Sequence, residues 1–331
     1  MKIVYFGTPE FALPPLQRLL ETEAHQVLGV VTQPDRRRGR GSQLSPSPVK
    51  AFALDHGLPV WQPQRLRRDL TLPEVLRSLA ADVFVVVAYG QILPPPILEI
   101  PRYGCINIHG SLLPKYRGAA PIQWALYHGE RETGVTTMLM DAGMDTGPML
   151  LKQKVPIHLG DTAATLSAAL SQIGANLLLE TLQQLPQLQP EPQNETEATY
   201  APLIQKSDYA IDWRRSALAL HNQVRAFYPH AYTQWQDTPL KLLQTWPLVP
   251  EVSPELPEPL QSLVCEPETS SAPGTVVQLI KGWGPVVQTG KGRLLLSQVQ
   301  LSGRKAQSGW DFVNGVRLAI ATQLGTAPSL L

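Results

Sequence analysis

Cys105-Ile106-Asn107-Ile108-His109-Gly110-Ser111-Leu112-Leu113-Pro114 is the stretch on which the reading of this chain turns. Successive side chains of a strand point to opposite faces. Asn107 and His109 therefore share one face, and Ile106 and Ile108 pack on the other. Gly110 and Ser111 end the strand, and the carboxyl ends of strands in open α/β sheets are where ligands bind. The strand thus aims a carboxamide and an imidazole at one spot.

Outward from this stretch, short apolar runs recur at 2–6, 27–32 and 83–88, with room for helices at 48–56 and 72–79. Strands alternating with helices predict an α/β fold, a Rossmann-like, doubly wound and mostly parallel sheet. At its start, Gly7 turns the chain and Thr8, Pro9 and Glu10 have the residue types of an N-cap, a first-turn proline and a first-turn acid. Further strands are expected at 134–140 and 149–155, and the Ala/Leu-rich stretch 161–185 predicts a closing helix capped by Asp161.

Residues 186–198 turn to Pro, Gln and Glu, the composition of a linker. The expected division is a catalytic domain at 1–189, a linker at 190–205 and a second domain at 206–331. In that second domain a helix at 213–227 precedes short strands at 232–235, 240–245, 275–280, 284–289 and 293–299, which predict a smaller OB-like β-barrel. Residues 247–273 hold seven prolines and five glutamates without Lys or Arg, and read as a loop insertion between barrel strands.

The 331 residues suffice for two such domains. With 43% hydrophobic and 17% charged residues the composition is that of a globular protein, and the longest apolar run, 83–89, is too short to span a bilayer. The first residues run straight into a strand pattern, so a cytoplasmic location is expected. Cys105 and Cys265 are too few and too far apart for a disulfide framework or a cysteine metal site. No metal, no membrane and no obligate protein partner are expected, and a monomer is the starting assumption.

Gly7-Thr8-Pro9-Glu10 lacks the G-x-G-x-x-G spacing that a dinucleotide pyrophosphate needs, and no Walker-type glycine loop occurs. Nicotinamide, flavin and nucleotide-hydrolysis chemistry are thereby disfavoured. A second rim element stands out instead. Asp141-Ala142-Gly143-Met144-Asp145-Thr146-Gly147 follows the strand at 134–140, and parallel neighbouring strands would carry this loop to the rim of His109. An amide donor, an imidazole and a carboxylate are the parts of an acyl-transfer site, with Asn107 facing a developing oxyanion, His109 handling a proton and an aspartate holding the imidazole or a water. The bland alternative is a set of polar residues satisfied at the end of a strand.

The net charge of +1 conceals a local basic patch: Arg36, Arg37, Arg38, Arg40 and Lys50 lie in the long stretch 33–50 between a strand and a helix. Such a loop can grip phosphates or remain a solvated surface. Outside residues 247–273 the second domain carries eleven Lys and Arg against four Asp, a balance that suits nucleic acid.

Taken together, these blocks resemble the methionyl-tRNA formyltransferase family, one of the folate-dependent formyltransferases. The likeness rests on Phe6-Gly7-Thr8-Pro9-Glu10-Phe11, Thr32-Gln33-Pro34-Asp35 through Gly39-Arg40-Gly41 to Ser47-Pro48-Val49-Lys50, Asn107 to Pro114, Tyr116-Arg117-Gly118-Ala119-Ala120-Pro121-Ile122-Gln123, Met140 to Gly147 and Asn222-Gln223-Val224-Arg225-Ala226-Phe227. It implies that 10-formyltetrahydrofolate, as co-substrate, gives its formyl group to the α-amine of initiator methionyl-tRNA. It further implies a catalytic trio of Asn107, His109 and Asp145. Folate binding would fall to Val87, Ala88, Tyr89, Gly90, Ser111, Leu112, Leu113, Pro114 and Asp141, and tRNA binding to Arg36, Arg37, Arg38, Arg40 and Lys50. The insertion at 247–273 is not required by the family pattern. Other readings are a formyltransferase for another amine such as glycinamide ribonucleotide, a formyltetrahydrofolate hydrolase, or a non-catalytic RNA-binding protein.

Overall fold

A computed structural model describes residues 1–38, 43–265 and 270–325. The chain divides into two units. The first comprises Met1–Pro121, Glu132–Pro156 and Ser167–Ala201, and the second Ile122–Arg131, Ile157–Leu166 and Pro202–Leu331. The second unit thus includes two short segments that composition gave no reason to separate from the first.

In the first unit the strands are β1 (Lys2–Gly7), β2 (Gln26–Val31), β3 (Arg36–Arg38), β4 (Gln43–Ser45), β5 (Val60–Trp61), β6 (Val83–Val87), β7 (Cys105–His109), β8 (Arg117–Gly118), β9 (Glu132–Leu139), β10 (Met149–Pro156) and β11 (Tyr200–Ala201). Seven of them form one sheet in the order β10-β9-β7-β6-β1-β2-β5. Strands β1 and β6 are apolar on both faces, and Ile3, Val4, Tyr5, Phe6, Val83, Phe84, Val85 and Val87 have no solvent exposure, as expected where helices cover a parallel sheet on both sides. The chain adds β2 and β5 on one side of β1 and then crosses to β6 on the other, so the sheet's switch point lies between β1 and β6.

From β5 to β7 the pairing is parallel, but β9 runs antiparallel to β7 and β10 antiparallel to β9. Here the sheet departs from the parallel order that was to bring residues 141–147 to the rim of His109. In the antiparallel register Leu139, the last residue of β9, pairs with Ile106 near the start of β7, while His109 pairs with Thr136. For β10 the cause is length, because residues 140–148 are too few for a parallel crossover, which needs about a dozen or more.

Two predicted caps also differ. Thr8 does not cap a helix; its hydroxyl donates to the Tyr89 carbonyl at 2.9 Å and so ties the end of β1 to the end of β6. The long helix Ala163–Gln184 starts after Thr162, whose Oγ1 accepts from the Thr165 amide, while Asp161 accepts from the His158 amide one turn earlier. Within 33–50, expected as an open loop, β3 and β4 pair as an antiparallel ribbon. After it, Ser47 caps the helix Pro48–Asp55 by accepting from the Lys50 amide.

In the second unit β12 (Tyr232–Trp235), β13 (Thr238–Leu248), β14 (Val276–Ile280), β15 (Gly284–Gln288), β16 (Arg293–Leu301) and β17 (Gln307–Ser308) form an antiparallel sheet in the order β12-β13-β16-β15-β14, with β17 on β16. Both open edges are taken by one late segment: Gln234 of β12 bridges Gly325, and Thr275, just before β14, bridges Gln323. These bridges give the sheet its barrel-like closure and leave neither edge bare. The described part of the stretch 247–273 is not a bare loop. It forms short helical turns at Pro250–Glu255, Glu258–Gln261 and Ser262–Cys265, and Val252, Leu256 and Leu260 join the barrel core. The buried Arg293 of β16 fastens it further by donating to the Leu263 carbonyl at 2.7 Å.

On the helix Ala217–Ala226 of this unit, His221 is buried as the neutral ring, its Nε2–H donating to the Leu159 carbonyl at 2.9 Å and its Nδ1 3.1 Å from the Thr245 hydroxyl. Burial above all, and then the Arg225 charge, push its pKa down to about 3. In the unfolded chain a histidine titrates near 6.5. Between those values the unfolded state binds a proton that the folded state refuses, so stability is lost as pH falls through that window. Melting temperatures at pH 7.5 and 5.0 are expected to differ more for the wild type than for His221→Gln, which carries no titrating ring.

Candidate active site

The site is built on the carboxyl end of β7. Asn107 pairs with Val86 of β6 across the sheet, and its Nδ2 donates to the Val86 carbonyl at 3.3 Å. A carbonyl can only accept, so the amide nitrogen must face it. One Nδ2–H remains, and Oδ1 is buried without a hydrogen-bond partner among the described residues. A buried acceptor left unpaired costs about 1–3 kcal/mol, which marks it as a group awaiting an N–H or O–H donor.

His109 is almost fully buried, and its Nε2 lies 2.9 Å from the Tyr116 carbonyl. That oxygen fixes the tautomer, since Nε2 must carry the hydrogen. Nδ1 is then the ring nitrogen able to take up or release a proton, and it faces the Asp145 carboxylate at 3.6 Å. The gap is longer than a hydrogen bond yet within ion-pair reach. The same Oδ2 of Asp145 accepts from the Gly118 amide at 2.8 Å.

Asp145 reaches His109 by a route the sequence did not indicate. Because β9 is antiparallel to β7, residues 140–148 leave the far end of the pair and fold back along it. Asp141 organises this turn, its Oδ1 accepting from the Gly143 amide at 3.0 Å and the Thr146 hydroxyl at 2.7 Å. Asp145 then takes a left-handed φ of +55°. Ala88 and Tyr116, with φ of +46° and +60°, flank the same strand ends. Such conformations cost a residue with a Cβ about 1–2 kcal/mol each, and three at one rim point to function.

The other predicted residues fall into distinct places. Ala88 and Gly90 are exposed beyond β6, where with Tyr89 they line a cavity of about 170 Å³ shared with Thr8, Gln33, Arg36 and Ser47 at the switch point. The structure therefore joins part of the stretch assigned to folate with one arginine assigned to tRNA. Val87 and Ser111 are fully buried and Leu113 nearly so, so they shape the strand ends from within. Leu112 is half-buried and Pro114 follows a cis peptide. Asp141 is exposed but has its Oδ1 committed to the turn. Lys50 is not free for a phosphate, because its ammonium lies 2.7 Å from Asp35. Arg36 is exposed and donates to Gln33. Arg37 and Arg38 are described through their backbone in β3, and Arg40 lies outside the described residues. Among the described residues no group of three or more His, Cys, Asp or Glu is placed to hold a metal ion.

Sequence reasoning missed the groups that fix the trio. The Tyr116 carbonyl and Gly118 amide are backbone atoms and leave no residue-type signal. Gln193 donates to the carbonyls of Asp145 and Gly147, both at 2.7 Å, from a stretch that composition marks only as linker.

A doubly wound sheet with an amide, an imidazole and a carboxylate at one strand end defines an α/β group-transfer enzyme, and comparison with known proteins gives the group. Residues 1–182 match the formyl transferase family, and 203–317 match the formyl transferase C-terminal domain. The chain is 84% identical over its full length to the methionyl-tRNA formyltransferase of Thermosynechococcus vestitus, covering all of that protein, and 57% identical to that of Trichormus variabilis, with 98% of this chain and 99% of that one aligned. The chain belongs to the methionyl-tRNA formyltransferase family. Among solved structures, the fold is similar to that of a sugar 3N-formyl transferase in the presence of dTDP and 5-N-formyl-THF (TM-score 0.63, 21% identity, 92% of this chain and 99% of that one). It is also similar to HypX from Aquifex aeolicus in complex with tetrahydrofolic acid (TM-score 0.60, 16% identity, 97% of this chain and 48% of that one).

Gly147 is the tightest point of the 140–148 loop, since a Cβ there would lie 1.8 Å from the Leu139 carbonyl oxygen. Gly147→Ala must shift the backbone that carries Asp145. A loss of about tenfold or more in the formyl-transfer rate is expected, whereas Gly160→Ala, with nothing within 4 Å of the added Cβ, should leave it unchanged.

Proposed function

We propose that this protein transfers the formyl group of 10-formyltetrahydrofolate to the α-amine of methionine esterified to initiator tRNA, in the cytoplasm, with Asn107, His109 and Asp145 as its catalytic residues. One observation carries the site assignment: the unpaired, buried Asn107 Oδ1 sits on the same strand face as His109, whose only exchangeable ring nitrogen faces Asp145. That orphaned acceptor suits an amine or a reduced folate, both of which bring N–H donors. Full-length identity to curated methionyl-tRNA formyltransferases supports the choice of acceptor.

The folate donor supplies an activated formyl carbon, and its proposed holders are the exposed turn around Ala88 and Gly90, the strand-end residues from Ser111 to Pro114 and the Asp141 loop. What the chain itself contributes follows from its geometry. The remaining Nδ2–H of Asn107 is held in place by the bond to Val86, ready to donate to an oxygen that gains charge, without reorganisation at the moment of reaction. His109 Nδ1 would take up the proton the attacking amine loses, forming an imidazolium that faces the Asp145 carboxylate, and would return it to the folate nitrogen as the carbon–nitrogen bond to the formyl group breaks. The bond from Gly118 keeps that carboxylate in place while the charge changes. No strong base is required, because an α-amine has a pKa of about 7.7–8.0 and is partly neutral near pH 7.

For the tRNA, the proposed grip is Arg36, Arg37 and Arg38 of β3 and, by sequence, Arg40, together with the basic second unit. Lys50 contributes by bracing the base of the ribbon through Asp35, which directly precedes β3 and which Gln62 also holds at 2.8 Å.

The assay is formyl transfer to methionyl initiator tRNA, glycinamide ribonucleotide or water, followed as formyl-methionine, formyl-glycinamide and free formate. Formyl-methionyl-tRNA is expected as the product; free formate as the main product would make the protein a hydrolase. Asn107→Ala and His109→Ala should each lower kcat by about 10²–10³, the loss typical of one oxyanion donor, with melting temperature retained. Near-wild-type turnover in either folded variant would overturn the assignment. Separately, Arg36→Gln with Arg37→Gln should weaken tRNA binding and reduce the slope of log Kd against log salt by about one for each phosphate that is no longer neutralised.

A further inference from the structure

Residues 191–201, linker by composition, run through the site of the first unit and fasten it. Glu191 exchanges both backbone hydrogen bonds with Met149, each 2.8 Å. Two residues on, the half-buried Gln193 spreads its Nε2 hydrogens over the carbonyls of Asp145 and Gly147 and accepts from Arg117 Nε at 2.9 Å. The orientation of this amide is dictated by chemistry, because carbonyls only accept and a guanidinium only donates. Arg117 is buried, and its other two nitrogens are gripped by the two oxygens of Glu195 at 2.9 and 2.8 Å. Further along, Thr199 Oγ1 accepts from the Tyr116 amide at 2.8 Å, and the Thr199 carbonyl accepts from the Arg117 amide at 2.8 Å. Strand β11 then pairs with β8.

We propose that Gln193 is a positioning residue for formyl transfer: its carboxamide, aimed by the Arg117–Glu195 pair, holds the backbone of Asp145 in the left-handed turn that keeps the carboxylate facing His109. This rests on the assignment of Asp145 to the catalytic trio. The reasoning is one of constraint. A left-handed aspartate persists only where its surroundings over-determine it. The loop's own side-chain bonds, accepted by Asp141 from the Gly143 amide and the Thr146 hydroxyl, close the turn but leave the Asp145 carbonyl unheld. The carbonyl of Asp145 and that of Gly147 have Gln193 instead, so one side chain fixes the backbone at the critical residue and again two residues beyond it. The bidentate Arg117–Glu195 contact matters for its geometry: it leaves Nε as the donor that turns the Gln193 amide the right way.

The test uses the full-length enzyme with saturating formyl donor and methionyl-tRNA. Gln193→Ala should lower kcat by about ten- to a hundred-fold, the cost of a misplacement near 1 Å, with KM for methionyl-tRNA and the melting temperature little changed. Gln193→Glu, which has the same shape but no hydrogens to donate to two carbonyls, should lose as much; it serves as the measured variant if Gln193→Ala does not fold. A purely structural role would not predict the decisive readout, which is coupling. Because Gln193 acts through Asp145, the double variant Gln193→Ala/Asp145→Asn should be no slower than Asp145→Asn alone. Wild-type kcat in the Gln193 variants, or losses that multiply in the double variant, would overturn the role of Gln193 while leaving the trio intact. A fully active Asp145→Asn would instead remove the trio and this inference together.

Discussion

The hydrogen bond from His109 Nε2 to the Tyr116 carbonyl is the constraint on which the geometry of the proposed trio depends. It is a small interaction, worth about 0.5–1.5 kcal/mol net, but it assigns the tautomer. With Nε2–H committed, Nδ1 is the ring nitrogen left to exchange a proton, and it is the side of the ring that faces Asp145. Tyr116 can offer its carbonyl because its own φ is +60°, which turns the chain sharply before β8. Two residues later the Gly118 amide points at Asp145. A single irregular turn therefore holds both partners of the pair, one through a carbonyl and the other through an amide.

The surrounding sheet explains why so small a turn can be trusted with that task. β7 lies between β6 and β9, with Cys105 and Ile106 fully packed and Ile108 nearly so, so Asn107 and His109 project from a strand that cannot shift. Leu113, Met138 and Met149 form a separate small cluster where the chain leaves β7 and where β9 and β10 meet. Thr136 adds a polar stitch there, donating to the Ser111 carbonyl at 2.7 Å and accepting from the Leu113 amide at 3.1 Å. Rigid strands supply position, and the strained residues are confined to the loops between them.

Much of this was legible in the sequence, for identifiable reasons. The apolar runs of β1, β6 and β7 announce a doubly wound sheet because strands buried on both faces have no polar alternation to hide them. The period of two placed Asn107 and His109 together. What could not be read was the direction of β9 relative to β7, since the residues between them are numerous enough for either sense. The antiparallel sense of β10 could have been read from the shortness of 140–148. The caps failed for a different reason: Thr8 and Asp161 are good capping residues by type, but Thr8 found the Tyr89 carbonyl and Thr162 stood one position nearer the helix than Asp161. In the stretch 186–198, low apolar content signalled a lack of core, correctly, but polar side chains that bind backbone carbonyls look the same in composition as polar side chains in water.

The two aspartates of one loop show how far residue type falls short of role. Asp141 and Asp145 stand in the same glycine-rich sequence, and each is a carboxylate at a strand end. Asp141 is exposed and uses its Oδ1 to close the turn on Gly143 and Thr146. Asp145 is spared that work because Asp141 does it, and the left-handed φ at Asp145 turns its side chain inward to Gly118 and His109. Exchanging their roles would need the turn to shift along the chain, but at Gly147 the backbone runs so close to the Leu139 carbonyl that a residue with a Cβ could not take that place. Which carboxylate meets the imidazole is thus decided by loop length and one close backbone contact, before any electrostatic preference between the two acids enters.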